Sequence, residues 1–260
     1  MKFGVCAGLD RLEAVVEAGY DFIEPPARRV LHPEEGEQEF ARMREIMERS
    51  PIQAEAFNLF IPGSLKVAGP EVDFKDLMEY AGLSIQRAVT LGGEVIVFGS
   101  GGARSVPQGF SHDEAKTQIA RFLQETAKIA SEWGINIAIE PLRKEESNII
   151  NSLPEGLEFV RAAKNPAVGI LADVYHMESE SEPLDNILAC GNSLMHIHIA
   201  EPLERRAPGL GEYDFCPFFA RLKEISYDKR ISIECKWGDF DAEAKAALPF
   251  LREAWEKAKI

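Results

Sequence analysis

The chain has 260 residues, 45% hydrophobic and 28% charged, with a formal net charge of −14. A polyanion of that size is repelled by phosphate, which argues against nucleic-acid or anionic-membrane partners, and this length buries a core without disulfides. Cys6, Cys190, Cys216 and Cys235 are scattered with no paired spacing, and no apolar run approaches a signal or membrane-spanning length, so the expectation is a reduced, cytoplasmic protein.

Short strand-like runs alternate with helix-length stretches along the whole sequence. The run 2–7 is followed by a helical stretch at 9–18, 21–24 by 37–49, 52–57 by 73–91, and 94–99 by 113–132. The second half continues with 136–140 and 154–163, 168–173 and 183–189, 194–200 and 216–224, then 230–235 and 242–257. Each strand candidate is β-branched or aromatic in character and bounded by Gly, Pro, Asn or Asp. Ser111 with Glu114 and Ser152 with Glu155 match the capping box, Asp73 and Asp214 read as N-caps, and Gly134 sits where a helix-ending glycine belongs. Ile119, Phe122, Leu123, Thr126, Ile129 and Ala130 form one apolar stripe at helical spacing.

Eight strand–helix units in this length predict an α/β chain closed into a single (β/α)8 TIM barrel, one domain over residues 1–260. The alternative is an open doubly wound sheet. That fold wants a glycine-rich turn after its first strand, and the turn here is Ala7-Gly8-Leu9-Asp10.

In such a barrel the chemistry sits where strands finish. The fifth run ends on Glu140, the sixth on Asp173, the seventh carries His198 and the eighth carries Glu234. A single Glu at a strand end is more often a cap or a solvated carboxylate, and a strand histidine is more often a hydrogen-bonded core residue. Convergence changes the weighing, because three carboxylates brought together repel unless a cation joins them. Three carboxylates and one imidazole are a hard donor set, suited to Mn²⁺, Mg²⁺ or Co²⁺ more than to a structural Zn²⁺. Mn²⁺ is the leading expectation, with Zn²⁺ left open. His196 and His198 share a strand face at different depths. His198, nearer the strand end, is the ligand candidate, and His196 is a supporting hydrogen-bond partner.

The segments AIEPLRKEESNIIN (138–151), LADVYHM (171–177), HIHIAE (196–201) and SIECKW (232–237) resemble four signature segments of the xylose isomerase-like barrels. The resemblance is to the ketose 3-epimerase branch, of D-tagatose and D-psicose 3-epimerase type. It implies that Glu140, Asp173, His198 and Glu234 hold one divalent metal and that Glu140 and Glu234 form the acid/base pair. It further implies that Glu146 and His176 bind substrate. The family's arginine six residues after the metal histidine is replaced by Glu204 here. Aligning on the turn Pro208-Gly209-Leu210-Gly211 moves that role to Arg205, with Arg206 as the alternative. The partner implied is a small-molecule sugar, and the assembly implied is a homo-oligomer, a dimer or tetramer.

Abstracting the hydrogen beside a ketose carbonyl gives an enediolate, which a dication stabilises. Returning the proton to the opposite face gives an epimer, returning it to the neighbouring carbon an aldose–ketose or hydroxypyruvate-type isomerase, and losing hydroxide a dehydratase. An apurinic endonuclease is disfavoured by five histidines and the −14 charge, and a non-catalytic sugar-binding barrel by the intact carboxylate set. Weaker features are the glycine-rich loop 97–110, with Arg104 as an anion contact, and Glu24, which could meet a distal hydroxyl or cap. Phe57, Asn58, Phe60 and Trp237 could form an apolar wall for substrate, and Arg28 with Arg29 and Arg205 with Arg206 are the only paired arginines.

Overall fold

Strand pairing closes the chain on itself, as the alternating pattern requires. The structure, a computed structural model, describes residues 1–260. Its strands are β1 (Lys2–Cys6), β2 (Phe22–Glu24), β3 (Ala56–Phe57), β4 (Val95–Phe98), β5 (Asn136–Ile139), β6 (Val168–Asp173), β7 (Leu194–Ile199) and β8 (Arg230–Ile233). All are parallel, in the order β2-β1-β8-β7-β6-β5-β4-β3. The two ends meet through parallel bridges between Phe22 and Gln53 and between Pro26 and Asn58. The Ile23 N–H donates to the Gln53 carbonyl at 3.1 Å, and the Ala27 N–H to that of Asn58 at 2.8 Å. The result is a nearly closed (β/α)8 barrel.

The helices are α1 (Leu12–Ala18), α2 (Ala27–Val30), α3 (Glu37–Glu48), α4 (Phe74–Thr90), α5 (Gly101–Arg104) and α6 (His112–Trp133). They continue as α7 (Leu153–Ala163), α8 (Val174–Ser179), α9 (Asn186–Cys190), α10 (Cys216–Glu224) and α11 (Phe240–Lys257). The short α2, α5 and α8 were not anticipated. Each follows a strand end, and segments of this length carry no apolar period to read. The caps behave as their chemistry demands. Asp73 accepts from the N–H groups of Lys75 and Asp76, Ser111 from Glu114 and Ser152 from Glu155, while Gly134 turns left-handed at φ 71°. Glu155 does not complete a capping box; its carboxylate holds the N–H groups of Ile150 and Asn151. Asp214 lies one residue outside its expected role, since Phe215 is the N-cap of α10 while the Asp214 carboxylate accepts from Cys216. β3 is shorter than expected because the Glu55 carbonyl takes both the Glu94 and Val95 N–H groups, so the ladder begins at Ala56.

Alternation along each strand then decides what enters the barrel. Phe22, Ala56, Val95, Val97, Ala138 and Leu171 pack together as an inner apolar plug, with Phe98, Ile197 and Ile199 turned out to the helix layer. Phe98 meets Phe122 of α6 with ring centroids 5.3 Å apart. Two residues up from this plug, the same strand faces deliver Glu24, Asn58, Gly99, Glu140 and Asp173. Polar groups therefore sit on an apolar floor.

Candidate metal centre

Glu140, Asp173, His198 and Glu234 arrive from four adjacent strands, and one ligand atom from each lies within 4.8 Å of all the others. Glu140 and Glu234 stay in register just beyond their strands, their N–H groups donating to the carbonyls of Phe98 and Ile199. The His198 Nδ1 is 3.1 Å from Glu140 Oε1 and 3.2 Å from Glu234 Oε2. Glu140, Asp173 and His198 are buried and Glu234 is half-buried. Asp173 also caps α8, its Oδ1 accepting the Tyr175 N–H at 2.7 Å, which leaves Oδ2 facing the cluster. Cap and cluster member are the same residue.

The other side of the His198 ring explains its orientation. Its Nε2 is 2.9 Å from Glu24 Oε1, and Glu24 Oε2 is 2.7 Å from His196 Nε2, which also lies 3.3 Å from the Ser232 hydroxyl. A carboxylate on Nε2 holds a proton there, so Nδ1 is the nitrogen that can give a lone pair to a cation once its own proton is displaced. Glu24, fully buried, thus supports both imidazoles rather than meeting a distal hydroxyl or capping. A second possible grouping, Cys6 with Glu24 and His198, uses that committed nitrogen and that committed carboxylate.

Electrostatics follow from this geometry. Burial disfavours charge on Glu24, yet His198 and His196 outweigh it and hold the carboxyl well below its ordinary range. Burial likewise opposes a charged His198, but Glu24 and Glu234 hold its imidazole well above the usual value. Glu140 is pushed up by burial and by the Glu234 charge, whereas Glu234 is pulled down, against burial, by His198 and Arg205. The cluster attracts positive charge from every available source. Such a donor set, with a pre-oriented imidazole, fits a divalent cation.

Around it, Arg205 donates from Nη2 to Glu234 Oε2 and, at 3.4 Å, to Asp173 Oδ2, and lies 4.6 Å above the Tyr175 ring. Arg206 is exposed. Buried Glu201 sets this loop by accepting from the N–H groups of Gly209 and Tyr213. His176 accepts the Arg143 N–H on Nδ1 and places Nε2 3.7 Å from Asp173 Oδ2. Glu146 is exposed and pairs with Arg143 at 2.8 Å, so the structure does not bring it into the cluster.

Several expectations need correction. Arg104 contacts no anion; it is fully buried and donates to the carbonyls of Phe98, Glu140 and Ile150, tying the β4 and β5 ends together. Phe57 and Phe60 are fully buried core, not a substrate wall. Asn58, placed in that wall, instead donates from Nδ2 to Glu234 Oε1 at 3.2 Å. Gly99 was missed as a positioning residue, although a Cβ there would collide with the Glu140 carboxylate. Glu24 carried a readable signal, an acidic residue ending an apolar strand before two prolines.

Comparison with known proteins fits this geometry. Residues 12–254 match the family described as xylose isomerase-like TIM barrel. The chain is 33% identical over 153 residues to L-ribulose 3-epimerase of Methylomonas sp., covering 51% of this chain and 53% of that one. It is 28% identical over 157 residues to D-psicose 3-epimerase of Ruminiclostridium cellulolyticum, covering 52% and 53%. The chain therefore spans about half the length of the curated relatives it matches. A solved structure of D-allulose 3-epimerase from Methylomonas sp. in complex with D-allulose is similar with a TM-score of 0.86 and 25% identity, over 98% of this chain and 97% of that one. No helix is long and apolar enough to cross a membrane.

Proposed function

The chain belongs to the xylose isomerase-like TIM barrel family, and from that premise we propose that it is a divalent-metal-dependent sugar epimerase acting on a ketose. The observation that carries the reading is the meeting of Glu140 and Glu234 at one imidazole nitrogen, 3.1 and 3.2 Å from His198 Nδ1, beside Asp173. Glu140, Asp173, His198 and Glu234 would hold the ion, with Mn²⁺ favoured over Mg²⁺, Co²⁺ or Zn²⁺ by the hard donor set. A bound dication there supplies charge stabilisation to the substrate oxygens while the proton is off carbon.

The chain's own residues account for the rest. One of Glu140 and Glu234 takes the proton from the carbon beside the carbonyl, and the other gives a proton back. Asn58 and Arg205 fix the Glu234 carboxylate from two directions, and the missing side chain at Gly99 leaves Glu140 room to face the substrate. Arg205, His176 and Glu146 are the proposed contacts to the remaining substrate oxygens. For Glu146 this requires release from Arg143. The relatives named as ketose 3-epimerases support this reaction class over others open to the same residues.

The test is a ketose screen in deuterated water with metal-loaded protein. Deuterium at C3 is the expected result; label at C1 or C2 indicates an aldose–ketose isomerase, and loss of a hydroxyl indicates a dehydratase. Glu140→Gln and Glu234→Gln should each lower exchange about 10²–10⁴-fold, the range for a lost general acid or base. Unchanged exchange in both variants would refute the assignment.

A further inference from the structure

A second feature opens at the barrel mouth, where the β2, β3 and β4 strands end. It is a recess of about 500 Å³ whose lining includes Arg28, Arg29, Leu59, Gly63, Ser100 and Gly102, and no carboxylate. Both arginines are exposed, and neither guanidinium has an ion-pair or hydrogen-bond partner within the chain. The arginines nearer the carboxylate cluster behave differently. Arg104 is spent on carbonyls, Arg143 on Glu145 and Glu146, and Arg205 on Glu234 and Asp173. In a chain carrying −14, two adjacent uncommitted guanidiniums facing a carboxylate-free recess are a local reversal of sign.

The recess is also built, not merely open. Lys66 Nζ donates to the carbonyls of Gly63 at 2.7 Å and Gly102 at 2.9 Å, clasping two of its walls. Leu59 and Ser100 both hold left-handed backbone, φ 53° and 42°, which non-glycine residues adopt only where their surroundings demand it. The Ser100 hydroxyl accepts the Ile61 N–H at 3.0 Å and fixes one wall to another.

Its placement ties it to the reaction. Leu59 follows Asn58, which holds Glu234, and Ser100 follows Gly99, which makes room for Glu140. A substrate whose reacting carbon lies between those two carboxylates would reach the recess with its far end if it extends toward the β2–β4 side of the mouth. Planar guanidiniums bind phosphate and carboxylate oxygens in pairs, and an uncharged hydroxyl would leave both without a matching charge.

Resting on the epimerase reading, we infer that the recess binds an anionic far end, so that the preferred substrate is a ketose bearing a terminal phosphate or carboxylate. The experiment compares a neutral ketose, its terminal phosphate ester and the corresponding keto-acid in the deuterium-exchange assay, using wild type, Arg28→Ala/Arg29→Ala and Arg28→Lys/Arg29→Lys. Wild type should favour one of the anionic substrates by about 10–100-fold in kcat/KM, the worth of one or two charge-assisted hydrogen bonds. The alanine pair should erase that ratio mainly through KM, and the lysine pair should restore part of it. Whether the ester or the acid wins identifies the anion. A preference for the neutral ketose, or a ratio unmoved by the alanine pair, overturns the inference while leaving the epimerase reading intact. Binding of inorganic phosphate to EDTA-treated protein, followed by calorimetry, gives a readout without turnover. If no ketose exchanges, the epimerase reading fails. Phosphate binding that is lost in the alanine pair then still supports an anion site, and absence of binding to wild type overturns it.

Discussion

The two ends of the barrel each carry a cluster of charged side chains, and they are balanced differently. At the N-terminal end, Lys2 pairs with Glu55 at 2.6 Å, and Arg230 pairs with Glu55 at 3.1 Å and with Glu94. Two cations meet two carboxylates, so the group is neutral without outside help. At the C-terminal end, Glu24, Glu140, Asp173 and Glu234 face two imidazoles and the single guanidinium of Arg205. The first group is also the more open, with Lys2 and Glu94 about half exposed while Glu24, Asp173 and both imidazoles are buried, and only the second is short of positive charge. Charge balance separates a cluster that closes a fold from one whose donors are suited to a cation.

The sharpest way to break that contrast is to supply the cation. Mn²⁺ added to metal-stripped protein at about 100 times its Kd should stabilise the fold by about 2.7 kcal/mol. For a chain of this size that raises Tm by about 5–11 °C. Asp173→Asn should abolish most of the rise, and because Asn also caps helices the variant should keep α8 and remain folded. A shift that survives in Asp173→Asn would place the metal elsewhere.

A smaller effect probes how the centre is oriented. Glu24→Gln keeps the shape but has one acceptor oxygen where Glu24 serves two imidazoles. His196 can adapt by accepting the Gln amide N–H on Nε2 and moving its proton to Nδ1, which lacks a partner in either tautomer, so the fold should persist. His198 loses the charged partner that fixes its Nε2 proton, and Mn²⁺ affinity measured by calorimetry should fall about 10–100-fold. Affinity unchanged from wild type would mean that Glu24 serves the core alone.

Much of this was legible in the sequence, and the boundary has a physical cause. The eight-fold strand–helix alternation is a local pattern, and it yields the barrel as observed. The four strand-end residues could be named because each sits at the end of its own apolar run, and barrel topology makes those ends neighbours. Glu24 was misread because its partners lie 172 and 174 residues away, and nothing near it in the chain signals an imidazole. Arg104 was misread because its loop looks solvated, whereas it folds back onto carbonyls of both flanking strands. Gly99 matters through the room it leaves, and a sequence does not show room. Glu146 is held by Arg143, which pairs with Glu145 as well, and spacing alone does not show that one guanidinium takes both.

The N-terminal cluster offers the mildest test and the cleanest control. Arg230→Met keeps the aliphatic stem but removes the guanidinium from Glu55 and Glu94. Breaking a buried pair and leaving a bare charge typically costs about 3–5 kcal/mol. The cost here should be lower, about 1–2 kcal/mol, because Glu55 keeps Lys2 and Glu94 is half open to water. Urea denaturation should report that loss while the Mn²⁺-linked rise in Tm stays at its wild-type size. Were the rise to shrink as well, the two ends would be coupled through the apolar plug between them, and the contrast in charge would not be a division of labour.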